Sequence, residues 1–127
     1  MEPYKKIANL LWETSSSNHA STAKLDIMPK NVNKLLVANR GEIALRVVRT
    51  PREMGIPTVA VYAEQDRHAQ YVQMADDAYL LSGDTYKDTY LNEDLLIDIL
   101  QRSGADAVHP GYGFLSEVAS FAQKVLD

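Results

Sequence analysis

From Lys34 onward the chain alternates short apolar runs with longer stretches whose apolar residues recur at helical spacing. Leu35-Leu36-Val37-Ala38, closed by Asn39-Arg40-Gly41, has the pattern of a buried strand. Glu42–Met54 predicts a helix with Ile43, Ala44, Val47 and Val48 on one apolar stripe and Glu42, Arg46, Arg49 and Arg52 facing outward. Thr58–Ala63 is rich in β-branched residues and predicts a second strand. A weaker helical stretch at Asp66–Ala75 leads to a short strand at Asp77–Leu81, and Gly83–Tyr90 reads as a polar loop. Asn92 then caps a helix running through Arg102, with Glu93 and Asp94 in its first turn and Gly104 after its last. Asp106–His109 predicts a fourth strand. A final helix, starting at Ser116 or a neighbour, carries Val118, Phe121, Ala122, Val125 and Leu126 on one stripe.

Strands alternating with helices predict an α/β layered fold with a mainly parallel sheet of about four strands and right-handed crossovers. Pro51 lies inside the first predicted helix, where it removes the bond to the Val47 carbonyl at a cost of about 3 kcal/mol. A kink near Thr50, or a helix that stops there and restarts, is expected. The last helix reaches Asp127 with no strand after it, so the pattern reads as a fragment lacking its last strand.

The first 33 residues differ in kind. Their longest apolar run, Ile7–Trp12, is interrupted by Asn9 and falls far short of the ~20 residues a membrane span needs. It is equally short for a secretory core, and the first arginine of the chain is Arg40, which disfavours a transit peptide. Thr14–Thr22 is polar throughout, so residues 1–33 are expected to form a flexible extension, and residues 34–127 the domain. Met28 opens a stretch that reads like a natural start; a partner-binding helix over Tyr4–Glu13 is the other reading. No membrane association and a cytoplasmic location are expected.

Charge and composition narrow the chemistry. The net charge is −4, and residues 34–127 hold nine Lys and Arg against fourteen Asp and Glu. That balance disfavours nucleic-acid partners, which need a basic surface. The absence of cysteine excludes disulfides, thiolate catalysis and cysteine-ligated metals. His19, His68 and His109 share no metal-ligand spacing, and no metal site is expected.

In open α/β sheets ligands bind beyond the carboxyl ends of the strands. Among the segments there, His109–Glu117 (HPGYGFLSE) packs two glycines, a proline, two aromatics, a histidine and an acid into nine residues. It reads either as a ligand-contacting loop or as a rigid turn with Tyr112 and Phe114 buried. Gly111 and Gly113 supply two glycines of a dinucleotide fingerprint, but Ser116 stands at the third and the first strand–helix turn has only Gly41. Glu42 and Glu117 at helix starts would also repel a phosphate. The arginine-rich helix likewise has two readings: a solvated face with Glu42–Arg46 and Arg49–Glu53 pairs, or a polar subunit contact of Arg46, Arg49, Arg52 and Glu53. No complete active site is visible, and His109 reads as a structural residue.

KLLVANRGEIALRVVR, TVAVYAEQDR and SGADAVHPGYGFLSE, in this order, closely resemble the amino-terminal domain of biotin carboxylase, from about Lys34 to Asp127. The resemblance implies a Rossmann-like three-layer domain that opens an enzyme with ATP-grasp and C-terminal domains. That enzyme carboxylates carrier-bound biotin with MgATP and bicarbonate, as part of an acyl-CoA carboxylase or pyruvate carboxylase; the wording here is nearer the acyl-CoA group. Its partners would be the remaining domains, a biotin carboxyl carrier, a carboxyltransferase and a second copy.

The resemblance maps the biotin loop onto His109, Tyr112, Gly113, Phe114 and Glu117, with Tyr112 and the Gly113 N–H lining the pocket. It maps the dimer contact onto Arg49 and Glu53 beside Arg46, and a structural motif onto Asn39, Arg40, Gly41 and Glu42. It places no catalytic residue in this chain, which alone is expected to bind neither biotin, ATP nor Mg2+ and to be inactive. Three features depart from the family: Val118 where Asn usually follows the glutamate, Pro51 where a small helix former is usual, and the missing final strand. The alternatives are a non-catalytic fragment acting only in subunit packing, or an independent nucleotide-binding module.

Overall fold

The computed structural model describes residues 32–116 and 118–126. The readings placed on residues 1–31 and on Glu117 lie outside them. Four parallel strands, β1 (Leu35–Val37), β2 (Thr58–Ala63), β3 (Asp77–Leu81) and β4 (Ala107–His109), form one sheet in the order β3-β2-β1-β4. Register runs Leu36 beside Val59 on one side and beside Val108 on the other. Helices α1 (Gly41–Glu53), α2 (Gln70–Met74), α3 (Glu93–Ser103) and α4 (Ala119–Leu126) complete the fold, with a 3-10 turn at Glu64–Asp66.

Alternation along β1 sorts the core into two faces. Leu35 and Val37 pack with Ala44, Leu45, Val48, Ala60 and Tyr71 beneath α1 and α2. Leu36 packs with Val59, Val61, Leu96, Ile99, Phe121 and Val125 beneath α3 and α4. Helices therefore cover both faces of a parallel sheet, which makes a three-layer α/β fold. No helix among the described residues is long and apolar enough to cross a membrane.

The predicted strands stand within a residue of the observed ones, and the Asn92 cap is formed: its Oδ1 accepts the Leu95 N–H at 3.1 Å. Gly104 closes α3 in the left-handed region, at φ +75°.

Three expectations are corrected. Helix α1 neither stops nor restarts at Thr50; it runs through a buried Pro51 to Glu53. The proline sits in the last turn, where the Thr50 and Pro51 carbonyls are taken up by the Met54 and Ile56 N–H groups, so the helix runs two residues past it without a break. The apolar stripe of α1 is shifted: Leu45 is buried with Ala44 and Val48, while Ile43 and Val47 are half-buried. The final helix begins at Ala119, because a turn closed by the Ser116 N–H on the Gly113 carbonyl (2.9 Å) precedes it.

Candidate functional site

The chain runs from β1 outward through β2 to β3, then returns to place β4 on the other side of β1. The crevice between the carboxyl ends of β1 and β4 is thus the topological switch point, where open α/β sheets bind ligands. Asn39 leaves β1 there and His109 ends β4.

Asn39 is fully buried. Its Nδ2 donates to the carbonyls of Pro110 (2.8 Å) and Tyr112 (2.7 Å), and its Oδ1 accepts the Arg40 N–H at 2.8 Å. Between those two carbonyls lies Gly111, at φ +67°. A Cβ there would stand 2.7 Å from Ile43 Cγ2 and 3.1 Å from Asn39 Nδ2, so only glycine fits both the conformation and the space. The Gly111 N–H donates to Nδ1 of buried His109 at 3.0 Å. Nδ1 therefore carries no proton, and a neutral ring holds its proton on Nε2.

Beyond Tyr112 the backbone returns to the left-handed region, with Gly113 at φ +70° and Phe114 at φ +45°. For an aromatic residue that conformation costs about 1–2 kcal/mol. Packing holds it. The Phe114 ring meets Tyr86 edge-on with centroids 5.2 Å apart, and Tyr90 at 5.3 Å. The two readings of the loop are thereby divided between its aromatics. Phe114 packs against the core, whereas Tyr112 is 42% exposed and Gly113 is exposed with nothing within 4 Å of where a Cβ would lie.

Beside this loop lies a buried polar network whose Asp66, Tyr71 and Tyr90 the sequence reading assigned no role. The register of β1 on β2 would next pair Asn39 with the Val61 carbonyl and the Ala63 N–H. Asn39 turns away, and two tyrosines fill its place. Tyr71 Oη donates to the Val61 carbonyl at 2.9 Å, and Tyr90 Oη accepts the Ala63 N–H at 2.9 Å. The two hydroxyls lie 3.0 Å apart, and Tyr90 donates to Asp66 Oδ2 at 2.6 Å. Asp66 also receives both Nε and Nη2 of Arg40, at 2.7 and 2.8 Å.

Electrostatics follow from that geometry. The Arg40 fork holds the Asp66 carboxyl below its ordinary range against the opposing effect of burial, and Asp66 in turn holds the guanidinium charged. Burial and the bond to Asp66 push Tyr90 up to about 12, and burial raises Tyr71 further. The Arg40 guanidinium also lies 5.9 Å from the Tyr86 ring centre and 6.0 Å from that of Tyr90. Gly83–Tyr90 is therefore not simply a polar loop, since Thr89 and Tyr90 are buried in it. One signal was available: Arg40 and Asp66 each follow a strand, and the two strands are parallel neighbours.

Gly41 and Glu42 form the first turn of α1, both exposed. Arg46, Arg49 and Glu53 line the outer face of the same helix, away from the loop. Arg46 approaches Glu42 at 3.9 Å, and no ion pair joins Arg49 to Glu53 among the described residues. Arg52 instead donates to the Met74 carbonyl at 2.8 Å, tying α1 to α2. No group of three His, Asp or Glu residues among those described could hold a metal ion.

The model of the biotin carboxylase N-terminal domain family matches residues 31–127. Biotin carboxylase 1 of Bacillus subtilis is 53% identical over 92 residues, covering 72% of this chain and 20% of the relative. The biotin-dependent acyl-coenzyme A carboxylase alpha3 subunit of Mycobacterium leprae is 53% identical over 96 residues, covering 76% of this chain and 16% of the relative. Among solved structures, the biotin carboxylase domain dimer of the Hydrogenobacter thermophilus 2-oxoglutarate carboxylase, in complex with MgADP, ADP and bicarbonate, is similar at a TM-score of 0.70. It is 51% identical, over 72% of this chain and 20% of that one. The chain thus spans about a fifth or less of the length of these relatives.

Proposed function

The chain belongs to the biotin carboxylase N-terminal domain family, and from that premise we propose that residues 34–127 form the opening domain of a biotin carboxylase. In this reading the whole protein carboxylates carrier-bound biotin with MgATP and bicarbonate and serves an acyl-CoA carboxylase. Its partners are a biotin carboxyl carrier and a carboxyltransferase. The relatives that support it include an acyl-CoA carboxylase subunit and a domain crystallised with MgADP and bicarbonate.

The observation that carries the reading is the loop at the switch point. Tyr112 stands out from the surface, and Gly113 leaves open space beside its backbone. A flat bicyclic ring could lie against Tyr112 and approach the Gly113 N–H closely, because no side chain intervenes. That N–H would then donate to the ureido oxygen, where charge gathers as N1′ loses its proton. His109 and Phe114 hold the loop from beneath, and Glu117 completes the proposed set. The proposal assigns ATP and Mg2+ to the remaining domains and expects no activity from this chain alone. The exposed outer face of α1, with Arg46, Arg49 and Glu53, is proposed as the contact with a second copy. The 2-oxoglutarate carboxylase relative is described as a domain dimer, which supports a second copy as a partner.

The test is a chimera. Residues 31–127 replace the matching segment of the Bacillus subtilis relative, and ATP hydrolysis is followed with and without biotin and bicarbonate. Biotin-dependent turnover is expected from the chimera and none from this chain alone. A folded chimera without it, or tight binding of a dinucleotide by this chain, would overturn the reading.

A further inference from the structure

We infer that Asn39 is a positioning residue for the biotin loop: its carboxamide sets the backbone that presents Tyr112 and Gly113. The inference rests on the proposed function for the ligand, but on geometry alone for the positioning.

Asn39 lies 71 and 73 residues from the two carbonyls it binds, and it joins them from one nitrogen. Those carbonyls, of Pro110 and Tyr112, flank Gly111, so the two bonds define where the chain enters and leaves the left-handed turn. Each amide hydrogen serves one carbonyl, and the remaining oxygen accepts the Arg40 N–H. That N–H belongs to the residue whose side chain is locked on Asp66. One fully buried side chain thus couples the start of α1 to the end of β4. The loop closes on it from the other side: Gly111 sits so near Asn39 Nδ2 that a single added carbon would press on it at 3.1 Å. Gly111, at positive φ between the two carbonyls, turns the chain away from the extended geometry of β4, so no strand ladder continues through this segment. A carboxylate at this position would keep the acceptor for Arg40 and turn an oxygen toward two carbonyl oxygens, which is repulsive.

The test has two readouts. In the 127-residue chain, amide resonances of Gly111, Tyr112 and Gly113 are compared between the parent and Asn39→Asp, with Leu96 and Ile99 in α3 as remote references. The loop resonances are expected to move and the references to stay. In the chimera, Asn39→Asp is expected to raise the KM for free biotin about tenfold while the KM for ATP stays within about twofold. A merely structural loss would lower the active fraction and leave both KM values in place. Gly111→Ala, which displaces the same contact from the loop side, serves if Asn39→Asp does not fold, and the same pattern is expected of it. Unmoved loop resonances with an unchanged biotin KM would overturn the inference. A parent chimera without biotin-dependent turnover would overturn the biotin reading instead, and the resonances would still decide the positioning.

Discussion

The two ends of the sheet are closed by different means. At the amino end, carboxylates accept strand N–H groups directly: Asp106 takes those of Asn33 and Lys34 at 3.0–3.1 Å, and Asp76 takes that of Thr58 at 2.8 Å. Each is a short local bridge between strand starts, and Asp76 is exposed. At the carboxyl end, buried side chains from α2 and from three connecting segments converge on β1, β2 and β4. Tyr71, Tyr90 and Asn39 satisfy backbone groups that no strand reaches, Asp66 holds Tyr90 and Arg40 in place, and Phe114, the one non-glycine residue at positive φ among the described residues, lies here. The lesson is that the plain end fixes register, while the elaborate end holds an unfavourable backbone shape. Unfavourable shapes persist where surrounding structure over-determines them, and such places cluster at ligand sites.

Substitutions should separate the two ends. Asp66→Ala leaves Arg40 and the Tyr90 hydroxyl without their partner and is expected to cost about 3 kcal/mol in chemical denaturation. The same bond predicts an acid limb. Because the folded Asp66 pKa is depressed, its stabilisation is complete above about pH 4, the ordinary carboxylate value, and is lost as pH falls through the folded value. Asp66→Asn should flatten that limb.

Tyr90→Phe removes the acceptor of the Ala63 N–H and the donor to Asp66, for an expected loss of about 2 kcal/mol. Tyr90 titrates higher folded than unfolded, so its stabilisation is present below about pH 10 and is lost as pH rises toward about 12. The phenylalanine variant should lose less stability across that alkaline window. At the opposite end, Asp76→Ala should cost only about 1 kcal/mol, since it removes an exposed carboxylate that holds no charged partner and frees only the neutral Thr58 groups. Arg67→Ala, which breaks an exposed pair with Glu64 at 2.8 Å, should leave Tm unchanged. Equal losses at Asp66 and Asp76 would erase the contrast.

The sequence reading succeeded where signals are local. Strand Thr58–Ala63 and the Asn92–Gly104 helix announce themselves through β-branched residues, a side-chain cap and a closing glycine. Leu45 was left off the predicted stripe because a wide apolar face on α1 admits two adjacent stripes, and only the packing of Val37 and Tyr71 chooses between them. Tyr90 escaped notice because polar neighbours surround it in sequence while Tyr71, Asp66 and Phe114 surround it in space. The glycine and aromatic spacing of the loop was legible from Gly111 to Phe114. Which aromatic faces out was not, because that depends on Tyr86 and Tyr90 packing against Phe114.

The central claim is that Gly113 presents bare backbone to biotin, and Gly113→Ala in the chimera tests it most directly. The added methyl meets no protein atom within 4 Å, but Gly113 lies at φ +70°, so the loop amide resonances of the variant are compared with the parent's to separate a changed backbone from a blocked biotin site. The account predicts a KM for free biotin raised about tenfold with the KM for ATP within about twofold of the parent. An unchanged biotin KM would contradict it.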